Sequence, residues 1–269
     1  MPQVKISRKR FVLCCPPKSG SNLLGLHVTS RHEDLVFLNH IFGRQFVFDD
    51  HFNRFQKENR RTGTFTRFLD EALKDPQVFS AFSAWRSRHW NDFASTLMDS
   101  PNRFCGFKWH PHFDGRVGMD NPLDSEAFAD FCVAQGWQII TLRRRNVFDH
   151  FVSVYLSYVT SYYGDGPLPA LYGDGKVRTV EEKTRILGVA KALKSSLRTL
   201  EKLDDLPETI SVYMEDLLKD VPNEPLEKYF ETSLMGVARA GEKKLSRPYA
   251  EIFDDEKLLR SLLTEANLI

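Results

Sequence analysis

Four short apolar runs punctuate the chain, and a segment of helical character follows each of them. Residues 12–15, 104–108 ("FCGFK"), 138–142 ("QIITL") and 209–213 ("TISVY") read as strands, the last two being rich in β-branched residues. Helices are expected over 21–30, 65–73, 81–98, 124–135, 147–163 and 180–203, with another starting at Glu215 or Pro225. Ser125 suits the cap of the helix over 124–135, and Gly136 suits its stop. Strands separated by helices pair through crossovers, so the pattern predicts an α/β fold with a central parallel sheet covered on both faces. The segment 162–176, "YYGDGPLPALYGDGK", has no periodicity and is expected to be a long surface loop of the kind that serves as a lid. Without an internal repeat, a low-complexity tract or a visible boundary, residues 1–269 read as one domain.

Lysine and arginine total 37 against 36 acidic residues, a formal net charge of +1. A chain this balanced has no global field to draw nucleic acid or a membrane surface, so an anion site must be a local cluster. No apolar segment follows the N-terminal "MPQVK", and no window is apolar enough to span a bilayer. The expectation is a soluble, cytoplasmic protein without an integral membrane anchor. Cys14, Cys15, Cys105 and Cys132 lie in apolar runs without zinc-ligand spacing and are expected to be reduced and buried.

The first run ends in "CCPPKSGSNLL", residues 14–24. A small-residue turn from strand to helix is a ready anion site, because the helix start offers unpaired N–H groups and partial positive charge. Gly20 permits the turn and a close approach; Lys18 adds a full charge; Ser19, Ser21 and Asn22 add donors. The triphosphate loop of ATP and GTP enzymes places its lysine after a second glycine, whereas Lys18 precedes the one glycine here. A shorter cradle suits one phosphate group. Taken alone, the motif also reads as a plain turn with a surface lysine. The third run continues into "RRRNVFDHFVSVYLS", residues 143–157. Arginines at the carboxyl end of a strand form a second anion site, where open parallel sheets bind ligands. Ser153 stands eight residues after Arg145, about two helical turns, and so on roughly the same side. A solvated edge is the alternative for the triplet.

These blocks resemble the sulfotransferase family that uses 3′-phosphoadenosine 5′-phosphosulfate (PAPS). "PPKSGSNLL" is similar to that family's 5′-phosphosulfate loop, and "RNVFDHFVSVYLS" to its 3′-phosphate motif. "ISVYMEDLLKD", residues 210–220, is similar to its later Tyr-Glu-Asp-Leu segment, and "LSRPYAEIFDD", residues 245–255, to a C-terminal segment of its bacterial glycan branch. The blocks stand in family order and span most of the chain. Two departures are visible. The C-terminal Arg-Lys-Gly clamp is absent as such, with Arg239, Lys243 and Lys244 as stand-ins, and Asn22 replaces the usual threonine.

The resemblance implies a three-layer, P-loop NTPase-like fold, PAPS as donor and adenosine 3′,5′-bisphosphate as its product, with no metal. Lys18 would neutralise the oxygen between sulfur and the 5′-phosphate, while Ser19, Gly20, Ser21 and Asn22 hold that phosphate. Arg145 and Ser153 would hold the 3′-phosphate. The acceptor would be a hydroxyl of a carbohydrate, glycolipid or other small molecule, and an oligomer is compatible with all of this. Two histidines compete as base. "GFKWHP" sets Lys108 two before His110, as in the Lys-x-His of cytosolic members, which implies His110 as base and Lys108 at the sulfuryl oxygens. "FLNHIFG" sets His40 where bacterial glycan members tend to carry a glutamate base. A structural role is the alternative for each, and His112 and His150 are weaker candidates. Trp85, Trp90 and Trp109 suit either an acceptor ring or the core, and Arg86, Arg88 and His89 either an acidic acceptor or a solvated face. The rival functions are a non-catalytic module for adenosine bisphosphate or a sulfated glycan, and an ATP-dependent phosphotransferase, for which the complete triphosphate loop is missing.

Overall fold

Period-two alternation along the strands divides the apolar side chains between the two faces of a sheet. The computed structural model describes residues 8–38, 98–113, 125–159, 176–236 and 249–269, together with Glu58, Trp85, His89, Asp92 and Ser95. Five strands form one parallel sheet: β1 (Lys9–Cys14), β2 (Leu35–Leu38), β3 (Phe104–Trp109), β4 (Gln138–Arg143) and β5 (Ile210–Tyr213), in the order β2-β3-β1-β4-β5. The described helices are α1 (Ser21–Thr29), α2 (Ser125–Ala134), α3 (Val147–Val159), α4 (Lys183–Asp204), α5 (Met214–Leu218), α6 (Glu224–Phe230), α7 (Tyr249–Ile252) and α8 (Glu256–Glu265).

On one face Val12, Cys14, Cys105, Phe107, Trp109 and Ile139 pack with Phe128 and Cys132 of α2 and with Leu200 and Leu203 of α4. On the other, Phe11, Leu13, Phe104, Ile140, Leu142 and Val212 pack with Leu24 and Val28 of α1 and with Leu226 and Phe230 of α6. The result is the expected α/β layering, with helices on both sides of the sheet. A further cluster joins α3 and α8 to the first half of α4 through Phe151, Tyr155, Ile186, Val189, Leu259 and Leu263. The long helix α4 thus carries two apolar stretches, one for the sheet and one for α3.

The four expected strands and the helix–strand alternation are present. β2 is an addition: its four residues sit at the edge of the described sheet and are too few to show a period. Both alternatives for the segment after β5 occur, α5 beginning at Met214 and α6 at Glu224. Gly136 has φ of +66° just past α2, as its expected role as a stop requires. The expected helix over 65–73, most of that over 81–98, the end of that over 147–163 and nearly all of the loop over 162–176 lie outside the described residues. The four cysteines are buried thiols outside any disulfide, as expected. Among the described residues no helix is long and apolar enough to cross a membrane.

The strand order sets the place of the site. The chain leaves β1 through α1 and returns beyond β3, whereas it leaves β4 through α3 toward the opposite edge. β1 and β4 are neighbours, with Cys14 level with Thr141. Their carboxyl ends therefore flank a point where connections depart in opposite directions, the usual position of a ligand crevice in open parallel sheets.

Gly106 of β3 lies under the Phe11 ring so closely that an added Cβ would stand 2.5 Å from it. Gly106→Ala is therefore expected to lower stability by about 1–3 kcal/mol through overpacking. The measurement is the urea midpoint at unchanged m-value. Adding Phe11→Leu should recover part of the loss, since the two positions share one contact.

A cationic crevice at the carboxyl ends of β1, β3 and β4

The loop after β1 is held in an uncommon backbone shape. Lys18 has φ of +62° and Gly20 of +89°. A left-handed lysine is sparsely populated and persists only where its surroundings impose it. Ser19, between them, is fully buried, and its hydroxyl donates to the Pro16 carbonyl at 2.7 Å. Gly20 is required twice over, by its φ and because an added Cβ would meet Met214 Cγ at 3.0 Å. It also caps α1, its carbonyl accepting from the Leu24 N–H at 3.1 Å.

Two more strands reach this loop. Lys108, in the last turn of β3 and 2% exposed, donates from Nζ to Asn22 Oδ1 at 2.7 Å. His110, just past β3 and equally buried, contacts the Cys15 carbonyl through Nδ1 at 2.5 Å. A carbonyl only accepts, so Nδ1 carries the proton in this contact, and in the neutral ring the lone pair falls on Nε2. From β4, the helix α3 brings His150, which is fully buried and donates from Nε2 to the Pro17 carbonyl at 2.8 Å, with Ser19 Oγ at 3.3 Å. Burial drives the His150 pKa down to about 3, with the charge of Arg144 acting in the same direction, so the ring is neutral at ordinary pH. Its Nδ1 is buried without a hydrogen-bond partner.

The arginine triplet divides three ways. Arg143 pairs with Asp204 at the end of α4, whose carboxylate also accepts from Thr141 at 2.5 Å and Ser211 at 2.6 Å. Arg145 is exposed; its guanidinium holds both oxygens of Asp216 at 2.5 and 2.7 Å and stacks over Tyr213 at 4.1 Å. Arg144 is half-buried, and its Nη1 lies 3.2 Å from Ser153 Oγ. Its Nε is buried without a partner, as is that of Arg143. Among the described residues no carboxylate lies within ion-pair distance of Arg144. Burial lowers the Arg144 pKa, against the opposing effects of Glu215 and Asp149. The Lys18 amino group is likewise lowered, first by burial and then by the charge of Arg144. Two cations thus lie close enough to destabilise one another in a partly desolvated place, a condition that an incoming anion relieves.

The first turn of α3 is already occupied. Glu215 accepts from the Arg145 N–H at 3.0 Å and the Asn146 N–H at 3.5 Å, and the Asn146 side chain accepts from the Asp149 N–H at 3.1 Å. Asp149 is itself bonded by the Tyr249 hydroxyl. The segment that follows β5, with Tyr213, Glu215 and Asp216, therefore straps the β4–α3 turn.

Of the residues expected at a site, Lys18, Ser19, Gly20, Ser21 and Asn22 form one turn, and Lys108 and His110 join it from β3. Arg145 and Ser153, expected to share one phosphate, have separate partners: Arg145 holds Asp216, and Ser153 meets Arg144. His40, Trp90, Arg86, Arg88, Arg239, Lys243 and Lys244 lie outside the described residues. Trp109 belongs to the core, 4.7 Å edge-on from Phe128, and Trp85 is buried with its Nε1 donating to Glu58. His89 sits beside Glu58 and Asp92, and His112 contacts Thr199 Oγ1 at 3.0 Å. His150 was expected only as a weaker candidate base, and Arg144 only as one of the arginine run; their roles here, bonding Pro17 and meeting Ser153, were not anticipated. The available signal was a histidine within a helix apolar on nearly every side, where a buried imidazole requires a polar partner. Compared with known proteins, the chain matches no protein-family model and no curated protein.

Stability is expected to register the neutral His150. Its folded pKa lies below the ordinary value of 6.5, so the unfolded chain binds the proton more readily. The resulting stability is present above about pH 6.5 and is lost as pH falls toward about 3, at a slope of at most ~1.4 kcal/mol per pH unit. His150→Gln removes this titration. Denaturation curves at a series of pH values should show the gap between the native protein and the variant narrowing as pH falls through that window.

Proposed function

We propose that the protein is a sulfotransferase that moves a sulfuryl group from PAPS to a hydroxyl of a carbohydrate, glycolipid or other small molecule. The observation that carries this reading is the bond from His150 to Pro17, which seats the lysine turn against the helix headed by the arginines. The two cationic turns then lie side by side at the carboxyl ends of β1 and β4, the arrangement needed for a nucleotide bearing phosphates at two positions. Burial and the nearby Arg144 charge both lower the pKa of the Lys18 amino group, and an anion bound beside them would oppose that effect.

When bound, the donor supplies an activated sulfuryl group; its S–O bond to the 5′-phosphate breaks as the acceptor oxygen bonds to sulfur. Lys18 stabilises charge gathering on the oxygen left behind, an interaction strongest in the transition state. Ser19 is spent on shaping the loop, while Ser21 and Asn22 line the start of α1. Lys108, held by Asn22, is the second cation, for the sulfuryl oxygens. His110 has its Nδ1 proton committed to Cys15, so its Nε2 lone pair is the one to take the acceptor proton. In-line alignment and charge stabilisation are the main physical needs of such a transfer.

Titration calorimetry with adenosine 3′,5′-bisphosphate, against ATP with and without magnesium, tests the ligand. Micromolar binding of the bisphosphate without magnesium is expected, whereas a preference for magnesium-ATP overturns the proposal in favour of a phosphotransferase. Lys18→Ala is expected to lower kcat by about 10²–10³ while changing bisphosphate affinity much less. His110→Ala should cost about 10²–10⁴ in kcat. A similar loss in His40→Ala with none in His110→Ala moves the base to His40. Tight binding with no transfer to any acceptor pool leaves a non-catalytic module.

A further inference from the structure

The sequence motif nominates Arg145 for the phosphate at the β4–α3 turn, but the three arginines have unequal freedom to serve one. Arg143 is the last residue of β4 and is bound by Asp204. Arg145 is engaged on two sides, by a two-armed ion pair with Asp216 and by the ring of Tyr213. To grip a ligand it would have to give up fork geometry that suits a carboxylate as well as a phosphate. Arg144 has no such commitment among the described residues. It follows Leu142 by two, and Leu142 faces the α1 side of the sheet, so strand alternation carries Arg144 toward the side where the lysine turn enters α1. Its Nη1 meets Ser153, which lies one helical turn after His150, and His150 bonds the Pro17 carbonyl. Arg144 therefore reaches α3 at Ser153, one helical turn from the imidazole that bonds the lysine turn. The buried Nε of Arg144 lacks a partner and is a donor that an anion's oxygen would satisfy. The N–H groups of the Arg145–Asn146 turn cannot substitute for it, because Glu215 occupies them.

We infer that Arg144, and not Arg145, is the guanidinium that grips a phosphate group in this crevice, with Ser153 beside it, and that Arg145 is a strap tying the β4–α3 turn to the segment after β5. The inference deepens the sulfotransferase reading and rests on it only for the nucleotide that bears the phosphate. Capture of a phosphate-type anion by Arg144 stands on the contacts themselves.

The test compares the full-length protein with Arg144→Gln and Arg145→Gln by titration calorimetry, using adenosine 3′,5′-bisphosphate and, separately, inorganic pyrophosphate. Arg144→Gln should weaken whichever ligand binds by about 10- to 100-fold, the scale of charge-assisted hydrogen bonds to one oxyanion. Its melting temperature should hold or rise, because a half-buried cation with no carboxylate partner among the described residues is removed. Arg145→Gln should change affinity by less than about 3-fold and lower the melting temperature by about 2 °C, as expected for losing an exposed pair. Equal losses of affinity in the two variants, or a larger one in Arg145→Gln, overturn the inference. Failure of the native protein to bind either ligand at millimolar concentration also overturns it. Binding of pyrophosphate but not of the bisphosphate would defeat the nucleotide reading alone, and the two arginines would then be judged on pyrophosphate. If Arg144→Gln does not fold, Arg144→Lys keeps the charge and loses the fork: a loss of about 10-fold supports the assignment, and undiminished affinity refutes it.

Discussion

A neutral imidazole holds this crevice together. His150 sits where α3, the loop after β1 and the arginine turn meet, and its Nε2 proton is given to the Pro17 carbonyl. The charge state matters as much as the contact. A protonated ring at this place would add a buried cation beside the half-buried Arg144 and Lys18, and the cost of burying it is high. A neutral donor fixes the backbone of the lysine turn without entering that competition. The turn's shape follows: Ser19 closes onto Pro16, Lys18 accepts a left-handed φ, and Gly20 opens α1 against Met214.

The acidic residues around the arginines perform a complementary task. Glu215, Asp216 and Asp149 lie at the same turn, yet they do not neutralise it evenly. Asp216 takes Arg145, Glu215 takes the backbone N–H groups, and Asp149 takes the Tyr249 hydroxyl. Burial lowers the pKa of both Arg144 and Lys18 at this turn. Positive groups already desolvated and fixed need little reorganisation when an anion arrives, which is the physical content of a preorganised site. The unfavourable term, two like charges close together, is confined to the place where a ligand would remove it.

The layered α/β architecture was legible in the sequence because strand runs such as "QIITL" and "TISVY" carry their own signal and the helices between them dictate crossovers. Strand order was not legible, since nothing local in the 138–142 run says that it lies beside β1. The lysine turn was readable from its small residues. Spacing alone set Arg145 and Ser153 on one side, but the regular helix begins only at Val147, and Ser153 is met by Arg144. Arg144 and Arg145 precede the helix, where strand alternation and turn geometry decide direction. Likewise, the pairing of Arg145 with Asp216 joins residues 71 apart, and such contacts leave no local pattern.

One departure from the expected loop becomes intelligible through β3. Where a threonine is usual, Asn22 stands, and its Oδ1 accepts from Lys108 Nζ. A hydroxyl in that position would accept from the lysine and keep one donor. The amide accepts through oxygen and keeps two N–H donors on the other arm, so it can orient a buried lysine and still present protons to an anion. Lys108, 2% exposed, has its amino group met by such a partner far from water. With asparagine, the end of β3 is coupled to the start of α1, and His110 to Cys15 makes the same connection two residues on. The β3 cation and the β3 imidazole thereby take their positions from the very loop that carries Lys18, so a shift of that loop would move all three groups together.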